Sequence, residues 1–234
     1  MKNIFVSVCR TSLKAYTFYP KHYHLKKIMF LICLMVPCFS WANEKLPPPY
    51  DTVDLLPFSG QGWYANGPSM EFLLKSTNAK VVIEVGSWLG LSTRHIAETI
   101  PKDGIVFAVD HWLGSPNEDN SPFDMANLYR QFLSNVIHAG LTHKIIPLRM
   151  SSAEAAATLT IHPDLVYIDA THDYNGVYTD ITLWFPFVKG HGVLCGDDYN
   201  WGYESSVKRA VDRFAFENNL IVHEDGWFWY YEEK

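Results

Sequence analysis

Basic residues are scarce in most of this chain. Of its 19 Lys and Arg, six (Lys2, Arg10, Lys14, Lys21, Lys26, Lys27) fall in residues 1–42, which hold no acid. The remainder therefore carries 13 basic against 25 acidic residues, a net of −12. An acidic domain without a basic stripe argues against nucleic acid as a partner, because phosphate contacts supply most of that affinity. Cysteine is also sparse. Cys9, Cys33 and Cys38 lie in the first 42 residues and Cys195 stands alone after them. If that leader is removed, no disulfide can form within the domain, so the fold does not depend on an oxidising compartment. Internal repeats and low-complexity tracts are absent.

A bilayer-spanning run is lacking as well. Residues 28–39 are apolar and follow Lys26-Lys27, but twelve residues are too few for a membrane-crossing helix. Ser40-Trp41-Ala42 then puts small residues at the two positions a signal peptidase reads. Residues 1–42 thus read as a signal-like leader with a long basic front. Cleavage after Ala42 would start the mature chain at Asn43. A mis-assigned start codon, or a peripheral amphipathic leader making transient membrane contact through residues 28–39, are the other readings. Residues 43–68, with Pro47-Pro48-Pro49-Tyr50 and Gly60-Gln61-Gly62-Trp63-Tyr64, read as an extended arm or lid. Residues 69–234 are long enough for one domain with a sizeable core.

Within that domain, apolar runs alternate with helical spacing. Strands are expected at Lys80–Val85, from Ile105 into Asp110, at Lys144–Leu148, Leu165–Asp169 and Gly192–Gly196. Helices are expected from Ser69 (with Phe72, Leu73 and Leu74 inward), over Ser92–Ile100 and Asp124–Ala139, after a capping box at Ser151–Glu154, near Val177–Trp184 with an end at Pro186, and over Ser205–Asn218. Leu220–His223 and Trp227–Tyr231 pair as a terminal hairpin. The fold class is α/β: a Rossmann-like doubly wound sheet, mostly parallel, with one antiparallel strand near the C-terminus.

The most informative stretch is Val81-Val82-Ile83-Glu84-Val85-Gly86-Ser87-Trp88-Leu89-Gly90-Leu91-Ser92. A buried strand enters a glycine turn and then a helix. Twenty residues past Gly90, the next strand ends in Asp110, placed to accept ribose hydroxyls. The third glycine of a dinucleotide fingerprint is missing. Glu84 would repel a pyrophosphate and suits an ammonium group. The pattern E-x-G-x-x-x-G followed by an acidic strand end resembles the S-adenosylmethionine site of class I methyltransferases.

Two further strands end in acid, at Asp169 and at Asp197-Asp198. In an open parallel sheet these ends line one crevice. Carboxylates gathered there repel one another unless a cation offsets them. Asp169, Asp197 and Asp198 form an oxygen-rich set for Mg²⁺ or a similar hard divalent ion. The other reading is that Asp197-Asp198 caps the next turn. His172, three residues past Asp169, is placed to take a proton from a substrate hydroxyl.

The order E-x-G-x-x-x-G-x-S, acidic second strand, D-x-x-H-x-Y and G-D-D-Y is similar to the metal-dependent small-molecule O-methyltransferases. The nearest branch is the cephamycin-biosynthetic and macrolide-sugar type, with catechol O-methyltransferase more distant. The likeness covers about residues 63–231. It implies that Glu84, Gly86, Ser87, Trp88, Gly90 and Ser92 hold the methionine end of the cofactor, with Asp169 beside it. Asp110 would hold the ribose, with His111, Ser152 and Ala153 around the adenine. Asp169, Asp197 and Asp198 would bind the metal. His172 would be the catalytic base, where the catechol-type enzymes have a lysine. Trp63, Tyr64, Trp112, Tyr174 and Trp201 are candidates to wall a ring-shaped substrate bearing a hydroxyl.

The export-like leader sits uneasily with a cytosolic cofactor and leaves the compartment open. An exported metal-dependent hydrolase would keep the carboxylates and His172 without the cofactor. A catalytically silent ligand-binding domain would keep the fold alone. A homo-oligomer is left open.

Overall fold

The computed structural model describes residues 45–115, 120, 123–201 and 203–234. The signal-like leader and its apolar run lie outside the described residues. Among the described residues, no helix is long and apolar enough to cross a membrane.

The expected alternation is present. The strands are β1 (Val81–Val85), β2 (Ile105–Asp110), β3 (Ile145–Arg149), β4 (Leu165–Ile168), β5 (Val193–Gly196), β6 (Leu220–Asp225) and β7 (Phe228–Glu233). The helices are α1 (Gly67–Thr77), α2 (Leu91–Thr99), α3 (Leu128–His138), α4 (Ser152–Thr158), α5 (Tyr174–Val188) and α6 (Ser206–Asn218). One seven-stranded sheet has the order β3-β2-β1-β4-β5-β7-β6. Neighbours from β3 to β5 pair in parallel, and β7 runs antiparallel to both β5 and β6. The sheet is therefore doubly wound with one reversed strand, as expected.

The period of two along each strand builds two cores. Val82 faces one layer with Met70, Ile96 and Phe132, from α1, α2 and α3. Ile83 and Val85 face the other with Ile181, Trp184 and Val211, from α5 and α6. Both faces are covered, which is why the central strands read as unbroken apolar runs. The strand order reverses between β1 and β4. That switch point is where an open α/β sheet leaves a crevice for a ligand.

Four local expectations need correction. Phe72 is 63% exposed rather than inward, because α1 starts at Gly67 and turns Met70, Leu73 and Leu74 to the core. Helix α5 does not end at Pro186 but runs to Val188. Proline there removes one ladder bond near the end of the helix. Burial of Trp184, Phe185 and Val188 holds the last turn nonetheless. Asp169 lies just past β4 rather than in it. The terminal hairpin is longer than expected, pairing Leu220 with Glu233 through to Asp225 with Phe228.

Residues 53–66 contain no helix or strand. Their course is set by side chains of α3: Leu56 N donates to Ser134 Oγ (3.0 Å) and Ser59 N to Asn135 Oδ1 (2.9 Å). Upstream, the buried Tyr50 hydroxyl donates to the Ile145 carbonyl at 3.0 Å. Tyr50→Phe strands that carbonyl in a buried site. It should lower stability by about 1–3 kcal/mol in urea unfolding. Unchanged stability would show that residues 45–66 are not tied to the sheet through this bond.

Candidate active site

A cavity of about 1090 Å³ opens at the C-terminal edge of the parallel strands. Single-ligand pockets usually span about 300–1,000 Å³, so this one has room for two molecules side by side. Of the expected site residues, Gly86, Ser87, Trp88, Ser92, Asp110, His111, Ser152, Ala153, Asp169, His172, Asp197 and Asp198 all line it. Glu84 and Gly90 do not.

Glu84 is fully buried in β1. Its Oε1 accepts the Ser92 hydroxyl and its Oε2 the Thr93 hydroxyl. Burial raises its pKa, and these hydrogen bonds oppose the rise. Glu84 therefore clamps the first turn of α2 to β1, and any effect on a ligand passes through that turn. The glycines have protein-internal reasons. A Cβ on Gly86 (φ 93°) would lie 1.9 Å from the Asp169 carbonyl oxygen. One on Gly90 (φ 77°) would lie 2.9 Å from the Phe132 ring. Gly90 thus shapes the turn from beneath rather than facing the cavity.

Asp110 ends β2 at the cavity edge. Its Oδ2 accepts Trp88 N at 2.8 Å and its Oδ1 accepts Trp112 N at 2.6 Å. Burial raises its pKa, and these backbone donors pull the other way. The Trp112 indole donates to the Trp88 carbonyl at 2.7 Å, locking the two turns together. Ser151 forms the expected capping box with Glu154 at the start of α4. The next residue, Ser152, donates to Asp180 and accepts the Trp184 indole N–H at 2.9 Å.

The acid cluster forms at the ends of β4 and β5. His172 Nε2 lies 2.8 Å from Asp198 Oδ2 and 3.9 Å from Asp169 Oδ1. One ligand atom from each of Asp169, His172 and Asp198 falls within 4.8 Å of the others. Asp197 is not in that trio, although it lines the same cavity. The backbone turns left-handed at Asp198 (φ 60°), and the two neighbouring carboxylates meet different partners. Asp197 Oδ1 accepts Asp198 N at 2.6 Å and its Oδ2 accepts the Tyr167 hydroxyl at 3.2 Å. Burial, with the charges of Asp197 and Asp198 added to it, raises the Asp169 pKa to about 7, against the His172 hydrogen bond.

Of the aromatic candidates, Trp63, Tyr64 and Trp201 line the cavity. Trp112 is 1% exposed and packs on Tyr129 and Phe132, while Tyr174 stacks on Tyr178. Neither reaches the cavity. The sequence reading missed Trp227 and the inner face of α5: Asn175, Gly176, Thr179, Asp180 and Leu183. Their spacing of three and four residues marks one helical face and was the available signal.

Residues 83–199 match a protein family described as a methyltransferase domain. Solved structures similar to this chain include the O-methyltransferase TomG from Streptomyces achromogenes, involved in tomaymycin synthesis and in complex with SAM. It is 15% identical over 74% of this chain and 82% of its own, with a TM-score of 0.55. An O-methyltransferase from Bacillus cereus, in complex with SAH, is 16% identical over 75% of this chain and 84% of its own, with a TM-score of 0.54. At such identities the likeness establishes the fold. No curated protein matches the chain.

Burial, reinforced by the Asp173 charge, raises the Asp180 pKa from 3.8 to about 6, against the Ser152 hydrogen bond. The folded state then binds more protons than the unfolded state between those two values. Stability contributed by Asp180 is complete below about pH 3.8 and lost as pH rises to about 6. The stability of the native chain relative to Asp180→Asn should fall by about 2–3 kcal/mol across that window in urea titrations. Parallel pH profiles would contradict the buried placement.

Proposed function

The chain belongs to the methyltransferase-domain family that residues 83–199 match, and on that premise we propose that it moves a methyl group from S-adenosylmethionine to a hydroxyl of a small molecule, assisted by a divalent cation. The observation that carries this reading is the continuity of the cavity. The Gly86–Ser92 turn, the Asp110 tip and the Ser152 edge share it with the Asp169–His172–Asp198 cluster. The solved relatives with SAM and SAH bound support the cofactor.

The residues present fit both groups. Among the described residues, five carboxylates (Asp110, Asp169, Asp180, Asp197, Asp198) line the cavity and no Lys or Arg does. Such a site favours a sulfonium cation and a metal ion on charge alone. Bound there, the cofactor supplies the methyl group and a divalent cation makes an acceptor hydroxyl easier to deprotonate.

The chain's own residues then divide the work. Asp110 and the Ser87-Trp88 turn orient the nucleoside, with His111, Ser152 and Ala153 beside the base. Asp169 and Asp198 hold the cation, with Asp197 one residue away and braced by Tyr167. His172 is the nitrogen base within the acid cluster. Its Nε2 lies 2.8 Å from Asp198 Oδ2 and 3.9 Å from Asp169 Oδ1, which hold the ring at the edge of the cluster. The D-x-x-H and G-D-D-Y motifs support the metal-dependent small-molecule branch, of the cephamycin-biosynthetic and macrolide-sugar type.

Calorimetric titration of the protein with S-adenosylhomocysteine, with and without Mg²⁺, tests the core of this reading. Saturable binding is expected, weakened in Asp110→Ala by about 1.5–3 kcal/mol through loss of a charge-assisted hydrogen-bond pair. No binding under either condition would refute it. For the base, His172→Ala should lower methyl-transfer turnover by on the order of 10²–10⁴ while S-adenosylhomocysteine affinity holds. Undiminished turnover in that variant would move the proton acceptor elsewhere. Undiminished turnover in excess EDTA would remove the metal.

A further inference from the structure

The acid cluster stands on a buried hydroxyl. Tyr167, the third residue of β4, is fully buried, and its ring stacks on Phe228 with centroids 6.3 Å apart at an angle of 30°. In the sheet it lies between Glu84 of β1 and Cys195 of β5. Phenylalanine would fill the same space without the cost of taking a hydroxyl out of water. Packing therefore explains the ring and not its oxygen.

The hydroxyl passes over its sheet neighbours. Glu84 beside it already accepts the hydroxyls of Ser92 and Thr93. The Tyr167 hydroxyl reaches instead to Asp197 Oδ2 at 3.2 Å and to Asp169 Oδ2 at 3.4 Å. Both distances are long for an O–H···O bond, as expected of one hydrogen lying between two acceptors. Burial, and then the charges of Asp169 and Asp197, raise its pKa well above the usual phenol range, so it stays a donor.

Strand geometry makes the bridge. Side chains alternate along a strand, so Tyr167 and Asp169, two residues apart, rise on one side. Asp197 N donates to the Ile168 carbonyl at 3.1 Å, which sets Asp197 beside them. The bridge divides Asp169 between two tasks. Its Oδ2 is turned to Tyr167, while its Oδ1 lies 3.9 Å from His172 Nε2, on the side of the cluster. The shared hydrogen also sits between two carboxylates that otherwise repel each other. Tyr167 does not itself line the cavity, so any effect on a ligand passes through the carboxylates it holds.

We propose that Tyr167 is a positioning residue for the cation site: its hydroxyl ties Asp169 to Asp197 and presents Asp169 Oδ1 to a divalent ion. Without the hydroxyl, Asp169 turns freely about its last side-chain bond and its repulsion with Asp197 is unrelieved. Outer partners of metal ligands typically account for about 10–100-fold in metal affinity. The role rests on the cation-assisted reading of the site given above.

The test is titration of the full chain with Mn²⁺ in the presence of S-adenosylhomocysteine, with free ion read by electron paramagnetic resonance. Tyr167→Phe should weaken Mn²⁺ binding by about 10–100-fold while S-adenosylhomocysteine affinity holds. Tyr231→Phe is the control. It removes another buried hydroxyl, which donates to the Val211 carbonyl at 2.9 Å in the opposite core layer, away from the cavity lining. Mn²⁺ affinity in that variant should stay within about twofold of the native chain. The proposal is overturned if Tyr167→Phe binds Mn²⁺ as tightly as the native chain, or if Tyr231→Phe weakens it as much. Loss of S-adenosylhomocysteine binding in Tyr167→Phe also overturns it, since the hydroxyl would then hold the fold rather than the ligand. A native chain that binds S-adenosylhomocysteine but no Mn²⁺ is a separate outcome, which sinks the cation-assisted reading beneath it.

Discussion

The close approach of Gly86 to the end of β4 is the constraint on which the site depends. A side chain on Gly86 would run into the Asp169 carbonyl oxygen and the Ala170 Cα. Gly86 N donates to the Val109 carbonyl at 2.9 Å, Asp169 N to the Val85 carbonyl at 2.8 Å and Asp197 N to the Ile168 carbonyl at 3.1 Å. The exits of β2, β1, β4 and β5 are therefore stitched in one row. Because the sheet reverses its winding between β1 and β4, the row lies where no crossover helix covers it. The turn suited to a nucleoside and the acid cluster suited to an acceptor consequently share one floor.

That floor is negative for a physical reason that also makes it costly. Burial raises the pKa of Asp110, Asp169, Asp180 and Asp197, since each loses hydration on folding. The surroundings return only part of the loss through hydrogen bonds from Trp88, Trp112, Ser152 and Tyr167. A structure kept only for stability would pair such groups with Lys or Arg. Here the basic side chains sit elsewhere: Lys144 donates to the carbonyls of Ala97 and Ile100, and Lys208 pairs with Asp212. That negative charge is what a sulfonium or a divalent ion would neutralise on entry.

Much of this was legible in the sequence, and the boundary of legibility is physical. The apolar runs and the glycine turn disclosed the strands and the acidic tips at Asp110, Asp169 and Asp197-Asp198. Those are backbone properties, set locally. What the sequence did not disclose was where each side chain turns at a strand exit. Asp197 and Asp198 are adjacent and chemically identical, yet a left-handed residue gives one to Tyr167 and the other to His172. Glu84 reads as a ligand for an ammonium group, but it is fully buried and accepts the hydroxyls of Ser92 and Thr93 from the first turn of α2. Trp112 and Tyr174 are lost to packing while Trp227, far along the chain from any motif, arrives through the hairpin register. Side-chain direction at such points is decided by tertiary partners that spacing does not encode.

The central claim is that one cavity holds the methyl donor beside the acid cluster. Nuclear magnetic resonance of carbon-13 methyl-labelled S-adenosylmethionine, bound to the protein and titrated with Mn²⁺, tests it most directly. Binding of this paramagnetic ion at Asp169 and Asp198 should broaden the methyl signal severely, and the broadening should vanish in the Asp169→Asn, Asp198→Asn double variant. A methyl signal that stays sharp while Mn²⁺ is bound would contradict the shared site.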